Sequence, residues 1–203
     1  MEFDNSFPGG PVLGSISLEK VFGPMEDVKL RLIRAVKALE AGRVEYAIIG
    51  GFAVAAHVTR VDPQAVRVTR DVDILLRRGD LSRATEALAP AGFVFRHARG
   101  VTMFLDGPDG SARDALQVIF AGEKVREECA TATPELSESE AGTDFQVVSL
   151  PALVRMKLNS FRRKDQTHLD DLIELGLIDE SWPAKYPPEL AARLQHLLDT
   201  PQS

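Results

Sequence analysis

Cysteine is nearly absent: Cys129 is the only one in 203 residues. A lone thiol closes no internal disulfide, so the chain is expected in a reducing compartment, the cytoplasm. No apolar run approaches the roughly 20 residues of a membrane-spanning helix, and no charged-then-apolar segment opens the chain. A membrane is therefore not an expected partner. Basic charge is also scarce, with 24 Lys+Arg against 30 Asp+Glu and a net charge of −6. Such a chain exerts no overall pull on polyanions, and any phosphate must be held by a local patch. Aromatic residues supply only 6% of a chain that is 44% hydrophobic. The core is expected to rest on Ala, Val and Leu.

What is present divides the chain into three. Residues 1–25 hold Pro8, Gly9, Gly10, Pro11, Gly14, Gly23 and Pro24, too many breakers for a core element, and read as a flexible arm. Residues 26–148 carry the alternation of helical and strand patterns of an α/β domain. The helix over 26–41 buries Val28, Leu32, Ile33, Val36 and Leu39 and stops at Gly42. Its Lys29, Arg31, Arg34 and Lys37 fall opposite, as on a solvated face. Residues 149–203 read as a helical region, with helices over 152–163 and 189–198.

The stretch 46–76 is the most informative. Apolar residues 47–49 form a strand, Gly50-Gly51 a turn, and residues 52–58 a helix of small side chains. A loop follows, then a second strand bearing Asp71 and Asp73. Side chains alternate along a strand, so these carboxylates share a face, roughly 7 Å apart along the chain. Two such groups repel unless a cation sits between them. Oxygen-only ligation suits Mg²⁺, which takes one or two protein carboxylates and completes its shell with water and phosphate oxygens. Glycine lets backbone N–H groups approach an anion, and a helix N-terminus favours a phosphate. Strand–helix–strand units of this kind point to nucleotide chemistry. A solvated strand face and a plain turn are the alternatives; the apolar flanks argue against them, because buried unpaired carboxylates are costly.

Gly50-Gly51 followed by Thr69-Arg70-Asp71-Val72-Asp73-Ile74 resembles the signature of the DNA polymerase beta-like nucleotidyltransferase superfamily. The nearest resemblance is to its small bacterial branch, related to abortive-infection nucleotidyltransferase toxins. The resemblance implies an α/β fold, a small twisted mixed β-sheet flanked by helices with a C-terminal helical appendage. It implies an enzyme that moves a nucleoside monophosphate from a nucleoside triphosphate such as ATP to an acceptor: RNA, protein or small molecule. Mg²⁺ or Mn²⁺ would be held by Asp71 and Asp73, the catalytic pair, with Gly50, Gly51, Arg70 and Lys157 on the nucleotide. Lys157 enters by this resemblance alone, from the stretch 156–172.

One position departs from the pattern. Catalytic members carry a third carboxylate on a later strand, and the matching strand over 115–120 has Gln117 there. An amide cannot take a proton from an attacking hydroxyl at neutral pH. Asp114 lies three residues earlier and reaches the same face only through a bulge or a different register. The alternative reading is thus a catalytically weak or inactive nucleotide- or RNA-binding module, in a toxin–antitoxin setting. Around the motif, Arg60, Arg67 and Arg70 fit either a solvated loop or pairing with phosphate or carboxylate. His57, with no other His or Cys nearby, reads as a structural or surface histidine rather than a ligand. Asp106 and Asp109 read as formers of a hairpin turn, Asp80 and Ser149 as helix caps, and residues 122–142 as an irregular excursion.

Overall fold

The computed structural model describes residues 26–67, 71–142 and 144–200; the arm expected over 1–25 lies outside them. Its centre is a strand of three residues, β1 (Ala47–Ile49), buried throughout. Helix α1 (Glu26–Ala41) leads into it. Val28, Leu32, Val36 and Leu39 of α1 are buried as the periodicity predicts. Its basic face is not wholly solvated. Arg31 is buried and pairs with Asp106 across 3.2 Å, and Arg34 reaches the same carboxylate. Asp106 therefore anchors α1 rather than merely shaping a turn.

From β1 the chain enters α2 (Gly50–Val58) directly, with Gly50 as its first residue at positive φ. Strand β2 (Val72–Leu76) returns antiparallel to β1. A 3-10 turn over Arg78–Asp80 and helix α3 (Leu81–Leu88) follow. Asp80 caps nothing with its side chain, which accepts instead from Arg83. Strands β3 (Phe93–Ala98) and β4 (Val101–Asp106) form a hairpin, and β4 pairs antiparallel with β5 (Leu116–Phe120). β5 lies parallel to β2, with Asp73 opposite Gln117.

The excursion over 122–142 is not irregular to its end. It closes in a 3-10 turn, Leu136–Glu138, and a strand, β6 (Ser139–Ala141), paired with β7 (Gln146–Val148). β6 is too short and polar to show alternation; its pairing with β7 makes it a strand. β7 in turn runs parallel to β1. The result is the expected mixed sheet, of seven strands in the order β3-β4-β5-β2-β1-β7-β6.

Beyond β7, the helix expected over 152–163 stops at Ser160, and a second helix that was not expected follows it. α4 (Leu150–Ser160) ends at Phe161, which takes a left-handed conformation (φ 45°), and α5 (Arg163–Glu174) starts two residues later. α6 (Pro188–Asp199) completes the layer. Ser149 precedes α4 without a side-chain cap. Leu153, Leu158, Leu169, Leu172, Leu190 and Leu194 join the apolar cluster of the sheet. The boundary expected at 148–149 falls between β7 and α4, and this cluster runs across it. His57 is buried in α2 with Nε2 2.9 Å from the Val148 carbonyl oxygen, a structural role as expected.

Candidate active site

β1 ends where β2 begins, so the first turn of α2 stands directly over the start of β2. Ile49 and Asp73 are partners across the pair. The next residue, Gly50, has φ +69°, and a Cβ on it would lie 2.1 Å from Asp73 Oδ2. Only glycine meets both demands, since this backbone region is strained for L side chains and the space is filled by the carboxylate. Asp71 stands one residue ahead of β2, and Gln117 lies beside Asp73 on the neighbouring strand.

These residues form one wall of a cleft of about 720 Å³, lined by Gly50, Gly51, Asp71, Asp73 and Gln117 from the sheet side. The opposite wall comes from α4, α5 and the junction between them, including Lys157, Phe161, Lys164 and His168. Lys164 Nζ reaches Asp71 Oδ2 at 3.1 Å. Lys157 and Lys164 both line the cleft, although they stand on different helices. α5 folds back at Phe161, and the two lysines meet across that bend.

Burial, and after it the nearby Asp71 charge, raise the Asp73 carboxyl from an ordinary 3.8 to about 6. Lys164, Lys157 and Arg162 oppose that shift. The cleft therefore holds a carboxylate short of compensating positive charge.

Lys157 is buried, and Nζ lies 2.8 Å from His168 Nδ1 and 3.4 Å from Asp165 Oδ1. Burial lowers its affinity for a proton, while Asp165 and Asp73 raise it. Burial and the two lysine charges hold His168 down at about 4, so its neutral ring accepts from Lys157. Burial also works against the Asp165 anion, but Ser160, Lys157 and Arg162 outweigh it and lower its pKa. This Lys157–His168–Asp165 cluster escaped sequence reasoning. Asp165 and His168 at i, i+3 on one helix face were the available signal.

The remaining candidates fall outside this grouping. Asp114 lies in a 3-10 turn, Ala112–Asp114, with Oδ1 3.7 Å from Arg31 Nη2 on α1, and it does not line the cleft. Arg70 lies outside the described residues. Arg60 pairs with Glu140 at 2.6 Å and Arg67 with Asp171 at 2.7 Å, so both take protein carboxylates. Among the described residues no group of three or more His, Cys, Asp or Glu side chains is placed to hold a metal ion. Asp71 and Asp73 bring two carboxylates to the cleft, with Gln117 beside Asp73.

Sheet order and helix placement define the class of fold, that of the nucleotidyltransferases. Two solved structures share it at a TM-score of 0.52. One is ANT(2'')-Ia in complex with adenylyl-2''-tobramycin, 17% identical, covering 84% of this chain and 98% of that one. The other is an antigenic nucleotidyltransferase-like protein from Paracoccidioides brasiliensis, 18% identical, covering 86% and 88%. No protein-family model and no curated protein matches the chain. Among the described residues no helix is long and apolar enough to cross a membrane.

Proposed function

We propose that the chain is a metal-dependent nucleotidyltransferase, moving a nucleoside monophosphate from a triphosphate such as ATP to an acceptor hydroxyl. The observation that carries this reading is Asp73, packed on Gly50 at the first turn of α2 and facing Lys157 and Lys164 across one cleft. The donor set fits a hard divalent cation: two carboxylates, one of them buried and undercompensated, with open space for water and phosphate oxygens. Asp71 and Asp73 would hold Mg²⁺ or Mn²⁺, whose chemistry when bound is to polarise the transferring phosphate and offset charge on the departing pyrophosphate.

The chain's own groups do the rest. The free N–H groups at the start of α2, at Gly50 and Gly51, face the triphosphate. Lys157 and Lys164 neutralise its negative charge, and Lys164 exchanges its partner Asp71 for phosphate when the site fills. The acceptor oxygen bonds to the α-phosphorus as the bond to the pyrophosphate oxygen breaks. Gln117 can orient a hydroxyl or water through its amide but cannot take the proton. The acceptor's proton goes to solvent or to the acceptor's own basic group.

ANT(2'')-Ia, bound to an adenylylated small molecule, supports an acceptor of that kind. The motif resemblance supports RNA or protein acceptors and a place among abortive-infection, toxin–antitoxin systems. Gln117 beside Asp73 favours one further reading: a binding module of the same fold that holds triphosphate and transfers slowly or not at all.

Calorimetry with Mg²⁺ and a nonhydrolysable ATP analogue, on wild type, Asp71→Asn and Asp73→Asn, tests the site. Binding that needs both carboxylates supports it; undiminished Mg²⁺-dependent binding in both variants sinks it. Pyrophosphate release from ATP separates enzyme from binding module.

A further inference from the structure

Phe161 is the one phenyl, tyrosyl or tryptophanyl ring among the described residues that line the cleft. Its backbone is held at φ 45°, where a bulky side chain is an outlier and glycine is the usual helix terminator. Among the described residues, the other non-glycine residues with positive φ, Arg43 and Arg99, are exposed and each adjoins a glycine in a turn. Phe161 is half-buried, at the mouth between α4 and α5. Strain of this kind persists where surrounding contacts over-determine it, and it concentrates at ligand clamps.

Those contacts are specific. The Phe161 N–H closes α4 on the Lys157 carbonyl oxygen at 2.8 Å, and Gln166 Nε2 donates to the Phe161 carbonyl oxygen at 3.0 Å. Arg193 of α6 donates Nη1 to the carbonyl oxygens of Leu158 (2.7 Å) and Asn159 (3.2 Å). Its guanidinium carbon sits 5.4 Å from the Phe161 ring centroid. A cation therefore covers the ring on one side, and the bend fixes the ring relative to Lys157, four residues earlier and facing Asp73. Glycine would close α4 without strain. A phenyl ring there places an apolar aromatic face in a cleft whose other described lining residues are charged, polar or aliphatic.

We propose that Phe161 is the stacking wall for the nucleobase of the bound triphosphate, an inference resting on the nucleotide reading above. Every base presents a π-face, so the contact holds a nucleobase without selecting its hydrogen-bonding edge. The triphosphate then runs from the lysines to Asp71 and Asp73, with the base at the α4–α5 junction.

The test compares ATP with inorganic tripolyphosphate, each with Mg²⁺, on wild type, Phe161→Asn and Phe161→Tyr by calorimetry. Asparagine tolerates left-handed backbone and removes the ring; tyrosine keeps it. Phe161→Asn should weaken ATP binding about 5- to 150-fold, the range expected for losing one base–aromatic stack. Tripolyphosphate affinity should stay unchanged in both variants, and Phe161→Tyr should bind ATP as wild type does. ATP affinity retained in Phe161→Asn overturns the proposal, as does an equal loss for tripolyphosphate, which marks a packing role. Both of those results leave the nucleotide reading standing. A wild type that binds neither probe removes that reading and the stacking wall together.

Discussion

Lys157 donates to Nδ1 of His168 across 2.8 Å, both side chains buried in the wall of the cleft. That bond needs a neutral imidazole, and protonation of His168 sets two cations against each other. Its folded-state pKa of about 4 lies below the ordinary 6.5. Between those values the unfolded chain binds the proton and the folded chain does not, so this group makes stability fall as pH drops from 6.5 to 4. The expected comparison is wild type against His168→Gln in urea. The advantage of wild type at pH 7 should shrink by up to about 3 kcal/mol on reaching pH 4. A gap independent of pH would mean His168 is not held neutral.

Asp165 compensates Lys157 and also accepts from Ser160 Oγ at 2.6 Å and Arg162 Nε at 3.0 Å. Asp165→Ala strands a buried ammonium group and should cost about 3 kcal/mol in chemical denaturation. Lys157→Met leaves Asp165 with its other two partners and should cost clearly less, while weakening nucleotide binding at least tenfold. Equal losses of stability would show that the cluster is not organised around the Lys157 charge.

Gly50→Ala meets two obstacles at once, the left-handed backbone and the Asp73 carboxylate. The backbone alone costs roughly 1–2 kcal/mol. The added carbon also displaces Asp73, so Mg²⁺-dependent ATP binding should drop with the stability. A stable variant with normal binding would break the proposed link between this glycine and the carboxylate.

Gln117→Glu adds a carboxylate beside Asp73, where the register pairs the two positions. With Mg²⁺ present, pyrophosphate release should rise toward the roughly 10²–10⁴-fold that general-base assistance supplies. Asp114→Asn should leave release unchanged, because Asp114 faces Arg31 away from the cleft. A large loss in Asp114→Asn, with binding intact, would reverse that assignment.

The central unit was legible because each part carries its own local signal. Three apolar residues make β1, glycines open α2, and alternation with apolar flanks marks β2. What stayed hidden depends on partners far along the chain. β6 is only Ser139, Glu140 and Ala141, which become a strand against β7. Arg31 looks solvated until Asp106, 75 residues on, arrives beside it. The bend between α4 and α5 carries neither glycine nor proline, so periodicity ran straight through Phe161. Lys157 was noticed through resemblance, whereas its partners His168 and Asp165 lie on the helix which that bend concealed.

In α2, every residue from Gly51 to Val58 is buried. A helix with no solvent face has no partial way to open, and the amide hydrogens bonded within it exchange with solvent only when the surrounding core comes apart. The turn that faces the cleft therefore keeps its shape for as long as the protein stays folded.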